Sequence, residues 1–236
     1  MAANAYLEAL GIDQWVPRRP LPGERTPPPP PPSSSSLGSG SPDTADTAWS
    51  PLEAEVRACT LCGLHQTRTQ TVFGVGNRHA ELLVVGEAPG ADEDAQGEPF
   101  VGRAGQLLNA ILRGMRWPRE TVFIANVLKC RPPGNRDPSP EESACCMPYL
   151  HRQIALIQPK FMLAVGRMAA QNLLATETPI GKLRGTVHHF GPRQTPLIVT
   201  YHPAYLLRST GEKRKVWGDM KFLRAELARV RIAAGH

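Results

Sequence analysis

The chain has 236 residues, 24 of them proline, and a formal net charge of +6. This length allows one sizeable domain with further material. The charge is uneven, because residues 1–50 hold three basic and five acidic side chains, which leaves 24 basic against 16 acidic ones, a net +8, in residues 51–236. A basic globular part favours a polyanionic partner, nucleic acid before membrane, although a solvated basic surface would carry the same charge.

The sequence predicts a cytoplasmic protein. It has no run of roughly 18 apolar residues that could span a bilayer. Its N-terminus lacks the basic stretch followed by an apolar stretch that marks a secretory signal. In the cytoplasm, the five cysteines are expected to bind metal or stay reduced rather than form disulfides.

Residues 1–20 predict a docking peptide. Tyr6, Leu7 and Leu10 are spaced to share one face of a short helical turn, and Trp15 follows as a further apolar residue. A tryptophan on a flexible tether is typical of a segment that binds a partner. The alternative is a peptide that packs on its own domain.

Residues 21–49 predict a disordered linker, because they include six consecutive prolines and four consecutive serines and cannot pack a core. About 28 residues of this kind span on the order of 29 Å as a coil. The globular domain is then expected at residues 50–236. Its first helix is predicted to have Ser50 as N-cap, Pro51 at its first position and Glu53 as the capping-box acid.

The globular part alternates apolar strands with amphipathic helices. This alternation predicts an α/β protein whose mostly parallel sheet is covered on both faces. Pro148 is expected to kink a helix predicted over 141–157 or to mark its first turn. The strands are predicted at 82–85, 121–125, 161–165 and 197–200. The other helices are predicted at 107–112, at 167–174 and at the C-terminus, where Val216, Met220, Leu223, Leu227 and Val230 form one stripe.

Several strand ends carry side chains suited to a ligand site, because open α/β sheets bind ligands outside the carboxyl ends of their strands. A Gly/Pro turn with Glu87 follows the first strand, Asn126 follows the second, and His202 follows the last. An asparagine can pair with the edge of a flat heterocycle, and a histidine can donate to an oxygen that becomes negative. Phe100 can stack on a planar base. Each of these residues also has an ordinary structural role open to it.

The cysteines predict a metal site. A Cys-x-x-Cys pair at residues 59–62 is a two-ligand clip, and Cys130 with either Cys145 or Cys146 would complete a four-thiolate set. Such a set suits zinc or an iron–sulfur cluster, and free buried cysteines are the alternative. In a helix, Cys146 lies about 40° from the apolar stripe at Leu150 and Cys145 about 140° away, so Cys146 is the better inward ligand.

Four segments in order resemble the family 4 uracil-DNA glycosylases, which are iron–sulfur enzymes that remove uracil from DNA. They are Gly86-Glu87-Ala88-Pro89-Gly90, the Pro99–Gly105 segment, the Asn126–Pro133 segment and the His202–Arg208 segment. The match runs from about residue 59 to residue 208. It implies a three-layer α/β/α fold and a monofunctional glycosylase that leaves an abasic site in base excision repair.

The resemblance also implies roles for single residues. The loop that contains Glu87, Ala88 and Gly90 would line the uracil pocket, Phe100 would stack on the base and Asn126 would read its edge. The departing uracil anion would be stabilised at O2 by His202. A [4Fe–4S] cluster would be held by Cys59, Cys62, Cys130 and Cys146.

The catalytic carboxylate is left open between two residues. Family 1 uracil glycosylases carry an aspartate in the loop where this chain has Ala88. Glu87 and Glu93 are the candidates, and the alternative role for Glu93 is to shape the pocket against the methyl group of thymine.

The resemblance and the charge pattern together predict where DNA would bind. Residues placed near the duplex by the resemblance are Leu206, Leu207 and Arg208. The basic residues predicted to contact phosphates are Arg131, Arg136, Arg208, Lys213, Arg214 and Lys215.

The N-terminal peptide has its own resemblance, to the N-terminal segment of the psi subunit of bacterial DNA polymerase III. The matching residues are Leu10, Gly11, Ile12, Gln14, Trp15, Arg18, Arg19 and Pro20. It implies that residues 6–20 of a monomeric bacterial protein dock on the clamp-loader assembly. The alternative function for the whole chain is a catalytically weak DNA-binding or replisome-adaptor module with a structural iron–sulfur cluster, and the complete set Glu87, Phe100, Asn126 and His202 argues against it.

Overall fold

The computed structural model of the chain describes residues 44–233. The predicted docking peptide and nearly all of the predicted linker therefore lie outside the described residues. The described strands are β1 Val75–Gly76, β2 Leu82–Gly86, β3 Phe123–Asn126, β4 Phe161–Val165, β5 His188–Phe190 and β6 Thr195–Thr200. The described α-helices are α1 Thr44–Ala58, α2 Ala91–Gln96, α3 Arg103–Gly114, α4 Pro140–Ile157, α5 Arg167–Leu174, α6 Ile180–Leu183, α7 Pro203–Arg208 and α8 Lys213–Ala233.

The six strands form one sheet in the order β1-β3-β2-β4-β6-β5. The four inner strands are parallel, and the edge strands β1 and β5 run antiparallel to their neighbours. Gly86 at the end of β2 is in register with Asn126 at the end of β3, and Val165 at the end of β4 is in register with Thr200 at the end of β6. The carboxyl ends of all four inner strands consequently meet at one edge of the molecule.

Alternate residues of the inner strands enter two separate cores, one on each face of the sheet. In β2, Leu83 and Val85 pack with α1, α4 and α5, whereas Leu82 and Val84 pack with α3, α7 and α8. Continuous apolar runs are expected of parallel strands that are buried on both faces. The predicted α/β class and the three-layer α/β/α arrangement are confirmed.

The first helix differs from its prediction. Helix α1 spans Thr44–Ala58 and holds Pro51 in its interior, so Ser50 is not its N-cap. Trp49, which falls in the predicted linker, is only 1% exposed. Its ring packs against the rings of Phe73 and Phe123, with centroid distances of 5.9 and 5.4 Å. Because this large aromatic side chain is buried in the core, the helix includes Trp49 and begins before the predicted N-cap at Ser50.

Helix α4 begins before Pro148, with Ser139 as its N-cap. The Ser139 hydroxyl accepts a hydrogen bond from the Glu142 amide, and the Glu142 carboxylate accepts one from the Ser139 amide, which completes a capping box. Pro148 lies inside the helix and does not mark its first turn. Among the described residues, no helix combines the length and the apolar character needed to cross a membrane.

Candidate active site

A cavity of about 410 Å³ opens at the carboxyl ends of the inner strands. It is enclosed by the loop that follows β2, the loop that follows β3, and helix α7 after β6. Every residue that the sequence predicts for base binding or catalysis lines it. These residues are Glu87, Ala88, Gly90, Glu93, Phe100, Asn126 and His202.

Phe100 forms one wall of the cavity. It is 5% exposed, and its ring centroid lies 5.6 Å from that of the His202 ring, with the two planes tilted by 31°. Its backbone has the uncommon φ of +55°, and helix α3 passes so close that a Cβ on Gly105 would lie 1.8 Å from the Phe100 carbonyl oxygen. Arg119 donates hydrogen bonds to the Pro99 and Phe100 carbonyls. The close packing of α3 and the hydrogen bonds from Arg119 therefore fix the position of Phe100.

Asn126 lies at the floor of the cavity and is 2% exposed. Its Oδ1 is the one buried side-chain nitrogen or oxygen atom, within the described part of the chain, that has no hydrogen-bond partner. A buried polar atom without a partner is costly, so it calls for an explanation. Since Asn126 faces a cavity, the simplest explanation is a ligand that donates a hydrogen bond to it.

His202 enters the cavity as the N-cap of α7. Its Nδ1 accepts a hydrogen bond from the Ala204 amide at 3.1 Å, which leaves Nε2 to carry the proton of the neutral ring. Burial, reinforced by the positive charge of Arg208 and opposed by Glu93, lowers the pKa of His202 to about 4. At neutral pH the imidazole is therefore an uncharged donor through Nε2–H.

The two candidate carboxylates differ in their partners. Glu93 accepts hydrogen bonds from the amides of Gly90, Val101 and Gly102 at 2.9 to 3.1 Å, and so joins the loop after β2 to the loop that carries Phe100. Glu87 makes no side-chain hydrogen bond or ion pair with the described residues. Burial, with a smaller contribution from the negative charge of Asp137, raises the pKa of Glu87 to about 7. Glu87 is thus the carboxyl group left free to react.

The rim of the cavity is basic. The guanidinium of Arg136 donates two hydrogen bonds to the Glu142 carboxylate, at 2.9 and 2.6 Å, and Arg131 donates to Asn135. On α7, Arg208 is exposed and lines the cavity. Of the two leucines predicted to lie near the duplex, Leu207 is 38% exposed. Leu206 is 1% exposed and packs in the core beneath α7, so its side chain is not available at the surface.

All five cysteines lie within the described residues and are free thiols. The charges of Cys62 and Cys130 each act to raise the pKa of Cys146, and those of Cys59 and Cys62 act to raise the pKa of Cys130, although burial is the main cause in both cases. The side chains as they stand do not form a metal-binding group of three or more ligands in residues 44–233. Hydrogen bonds nevertheless bring the cysteine-bearing segments together, because Arg68 donates to both the Cys59 carbonyl and the Cys130 sulfur, and the Cys145 sulfur donates to the Leu61 carbonyl.

The chemistry of this donor set fits a four-thiolate group. An Arg68 N–H donates to the sulfur of Cys130 at 3.1 Å, and the Lys129 amide lies 3.5 Å from the sulfur of Cys146. Hydrogen bonds to sulfur are what thiolates that bind a metal centre receive from their surroundings. Cys146 is 3% exposed, whereas Cys145 is half-buried and faces the Leu61 carbonyl. The predicted inward orientation of Cys146 is confirmed.

Two cations with structural contacts, the partly buried Arg68 and the buried Lys129, were not predicted from the sequence. Arg68 also donates to the carbonyls of Cys59 and Arg57, so it holds the chain around the Cys-x-x-Cys pair. Lys129 falls in a loop that the sequence presents as basic and stiff, yet it is 1% exposed. Its Nζ donates to the Asn126 carbonyl at 2.8 Å and to Gln153 at 2.6 Å. Its only sequence signal is its position between a buried strand and a cysteine.

The family model of the uracil DNA glycosylase superfamily matches residues 73–221, and the chain belongs to this superfamily. The chain is 46% identical to the Type-4 uracil-DNA glycosylase of Archaeoglobus fulgidus over 173 residues, which cover 71% of this chain and 87% of that protein. It is 44% identical to the Type-4 uracil-DNA glycosylase of Thermotoga maritima, over 68% of this chain and 84% of that protein.

A more distant relative separates two types within the superfamily. The chain is 29% identical to the Type-5 uracil-DNA glycosylase of Thermus thermophilus, over 59% of this chain and 72% of that protein. The higher identity to the Type-4 proteins confirms the resemblance to family 4. The resemblance of residues 6–20 to the polymerase psi subunit lies outside the described residues and stays a prediction.

Proposed function

We propose that this chain is a monofunctional uracil-DNA glycosylase of base excision repair. It would hydrolyse the bond between uracil and deoxyribose and leave an abasic site in the DNA. Superfamily membership and the Type-4 relatives support this function. The observation that carries it is the unpartnered Oδ1 of Asn126, in a cavity that also holds Phe100 and a neutral His202.

Base recognition follows from the chemistry of these walls. Uracil carries an N–H donor at N3, and Asn126 Oδ1 would accept that hydrogen bond. Cytosine has an acceptor at the same ring position and would leave Oδ1 unpaired, which disfavours it. Phe100 would stack on one face of the base, with Ala88 and Gly90 lining the remainder of the pocket.

Bond cleavage places negative charge on the leaving uracil and positive charge on the sugar. The Nε2–H of His202 would donate to O2 of uracil, and this hydrogen bond strengthens as the anion forms. Because the pKa of His202 is about 4, the ring is neutral at neutral pH. A neutral imidazole is a very weak acid, so it stabilises the anion by a hydrogen bond and keeps its proton. Uracil then leaves as the anion and takes a proton from water.

Glu87 is the proposed catalytic carboxylate. With a pKa of about 7, it is partly ionised at neutral pH, where it can position a water molecule for attack on C1′ of the sugar and accept a proton from it. Glu93 would act as a positioning residue, because its three amide contacts hold together the loops that form the pocket.

The target nucleotide has to leave the base stack before it can enter this cavity, which costs a few kcal/mol and less at a mispaired or single-stranded site. Leu207 is the proposed wedge for the gap in the stack, since Leu206 is buried in the core. Arg131, Arg136 and Arg208 would contact phosphates around the mouth.

We infer that Cys59, Cys62, Cys130 and Cys146 hold a [4Fe–4S] cluster. When bound, the cluster would cross-link the segment after α1, the loop after β3 and helix α4, a structural role in a reaction that transfers no electrons. Cys145 would remain a neighbour that does not coordinate.

The proposed organisation of the rest of the chain places a docking peptide at residues 1–20 and a linker from residue 21 to residue 43, before helix α1 begins at Thr44. The peptide would bind the polymerase III clamp-loader assembly and bring a monomeric cytoplasmic enzyme to newly made DNA. A pull-down compares the wild type with Trp15→Ala. Equal recovery of clamp-loader subunits would overturn the docking proposal and leave the glycosylase proposal intact.

The glycosylase itself is tested by a nicking assay. Oligonucleotides with one U·G pair, one U·A pair or a single-stranded uracil are incubated with the protein and then treated with alkali, which breaks the strand at abasic sites. Cleavage by the wild type and its loss in His202→Ala and Asn126→Ala would support the function. DNA binding without cleavage would instead favour the adaptor function.

A further inference from the structure

A second concave surface lies beside the active-site cavity and has no role in the chemistry proposed above. It has a volume of about 360 Å³ and lies between α3, α7 and the start of α8. We call it the flanking groove. It is lined by Leu107, Ile111, Leu206, Lys213, Arg214, Val216 and Trp217.

Trp217 is the unusual member of this surface, because 45% of its large side chain is exposed. The ring lies against the end of α3, where a Cβ on Gly114 would be 3.3 Å from it. One face of the Trp217 ring therefore packs against α3, and the other presents a flat apolar surface to solvent. Such a face is typical of a binding surface.

The flanking groove continues the active-site cavity along α3. Ala104 lines the cavity, and Leu107 and Ile111, three and seven residues further along, line the groove. These positions share one stripe of the helix, and Ala104 and Leu107 are separated by about 4.5 Å of helix rise. Helix α7 also contributes to both surfaces, with the exposed Arg208 at the cavity and the almost fully buried Leu206 behind the lining of the groove. The cavity and the groove are therefore neighbouring surfaces on α3 and α7.

The cations of the groove point to the kind of partner. Lys213 and Arg214 are exposed, and neither makes an ion pair or a side-chain hydrogen bond within the described part of the chain. Their neighbour Lys215 is held by Glu212 at 2.8 Å. Two free cations beside an aromatic face are the arrangement that binds single-stranded nucleic acid, where phosphates meet the cations and a base stacks on the ring.

We propose that the flanking groove binds the DNA strand that continues from the extruded uracil nucleotide. One neighbouring base stacks on Trp217, and Lys213 and Arg214 contact the adjoining phosphates. The proposal rests on the proposed function, which places a DNA strand at the mouth of the cavity. It adds a contact for a nucleotide that does not react.

The test measures binding separately from catalysis. Uracil-free single strands of 4 and 20 nucleotides, labelled with fluorescein, are titrated with the wild type, Trp217→Ala, Trp217→Phe and the double variant Lys213→Gln/Arg214→Gln. The matched control is Lys182→Gln/Arg193→Gln, which removes the same charge from two exposed residues outside the groove. Fluorescence anisotropy gives Kd at several salt concentrations.

We expect Trp217→Ala to weaken binding of the 20-nucleotide strand by about fivefold or more, as the loss of one base–aromatic stack predicts. Trp217→Phe should retain most of the affinity because it keeps a ring. The double variant should reduce the slope of log Kd against log salt by about 1.4, the value for two phosphate contacts on a single strand. The 4-nucleotide strand and the control variant should show much smaller changes.

Wild-type affinity in both Trp217→Ala and the double variant would overturn the proposal, and the groove would then be a candidate surface for a protein partner. This result does not depend on uracil excision, because the strands contain no uracil. Excision by the same variants is measured in parallel. A wild type that binds through the groove but does not excise uracil would overturn the glycosylase function alone.

Discussion

Gly86 and Asn126 are register partners on the neighbouring parallel strands β2 and β3, and a Cβ on Gly86 would lie 2.4 Å from Asn126 Oδ1. The same Cβ would lie 2.6 Å from the ring of Phe100. The absence of a side chain at residue 86 therefore allows both pocket residues to occupy their positions.

Gly86→Ala tests this relationship. The added methyl group displaces Asn126 and Phe100, so we expect kcat/KM for uracil excision to fall by about 10²-fold, the effect of a misplacement of about 1 Å in an active site. Gly181→Ala is the control, since a Cβ at residue 181 meets no atom within 4 Å. Steady-state kinetics on a single-stranded uracil oligonucleotide measures both. Wild-type kinetics for Gly86→Ala would contradict the geometry.

His202 combines two roles that substitutions can separate. His202→Ala removes both the Nε2–H donor and the N-cap of α7, so kcat should fall by about 10²- to 10³-fold and stability by about 1 kcal/mol. His202→Ser restores a cap acceptor but not the donor, so it should regain the stability and remain inactive. Thermal unfolding and kcat are measured on both variants. Recovery of activity in His202→Ser would show that catalysis depends on the N-cap of α7 and would contradict the role of the Nε2–H donor.

Glu87 predicts a pH dependence. In the proposed mechanism the carboxylate is the active form, and its pKa is about 7, so kcat/KM should rise with pH through neutrality and level off above it. Glu87→Gln should give a much lower and flat profile over the same range. A second loss of activity is expected only as the pH falls through about 4, where His202 becomes protonated. A flat wild-type profile across neutral pH would exclude Glu87 as the titrating base.

Glu87 also has a consequence for stability. Its pKa in the folded protein is raised above the ordinary value of 4.5, so between these two values the folded state binds more protons than the unfolded state. Stability contributed by the protonated group is therefore present at low pH and is lost as pH rises through about 7. Glu87→Gln should unfold at a higher temperature than the wild type at pH 8, with little difference at pH 4.

Lys129 predicts a change in both stability and base binding. Lys129→Met leaves the Asn126 carbonyl and Gln153 Oε1 without their buried donor, which should lower the free energy of unfolding by about 1–3 kcal/mol. It should also raise KM more than it lowers kcat, because Asn126 loses support. Lys160→Met, in a half-exposed ion pair with Glu81, is the control and should change stability little. Denaturant unfolding and kinetics give the two readouts.

Arg68 tests the proposed cluster without reference to catalysis. Arg68→Gln removes a positive charge and the hydrogen bond that Arg68 donates to the sulfur of Cys130. The cluster should therefore be lost more readily, and its reduction potential should fall. Iron and sulfide per chain, visible absorbance and electrochemistry measure this. Arg152→Gln removes an exposed charge that pairs with Glu55 and serves as the control. Equal iron content and equal potential in wild type and Arg68→Gln would contradict the assigned role.

The inner strands and the main helices could be predicted because their apolar patterns are strong. Strand β4 and helix α5 have the predicted bounds, and four of the five predicted stripe residues of α8 are buried. The edge strands were missed, since β1 has two residues and β5 is His-His-Phe, and neither carries an apolar run. Their pairing depends on a neighbouring strand that is distant in sequence.

The candidate site could be predicted as a set of residues but not as a set of contacts. The motifs named Asn126, Phe100 and His202, and the structure brings them to one cavity. They did not distinguish the free carboxyl of Glu87 from the engaged carboxylate of Glu93, because that difference depends on amides eight and nine residues away. Leu206 and Leu207 are equally apolar neighbours, and only the packing of α7 shows which one faces solvent.

The three amide contacts of Glu93 also bear on how the pocket meets its base. They join the turn after β2 to the segment that carries Phe100, so the two loops are already linked in the structure without a ligand. The conformational entropy of those loops is lost when the chain folds rather than when the base binds. A base that reaches the cavity therefore meets a preorganised pocket. Its binding depends on the extrusion of the nucleotide from the DNA rather than on a closure of the protein.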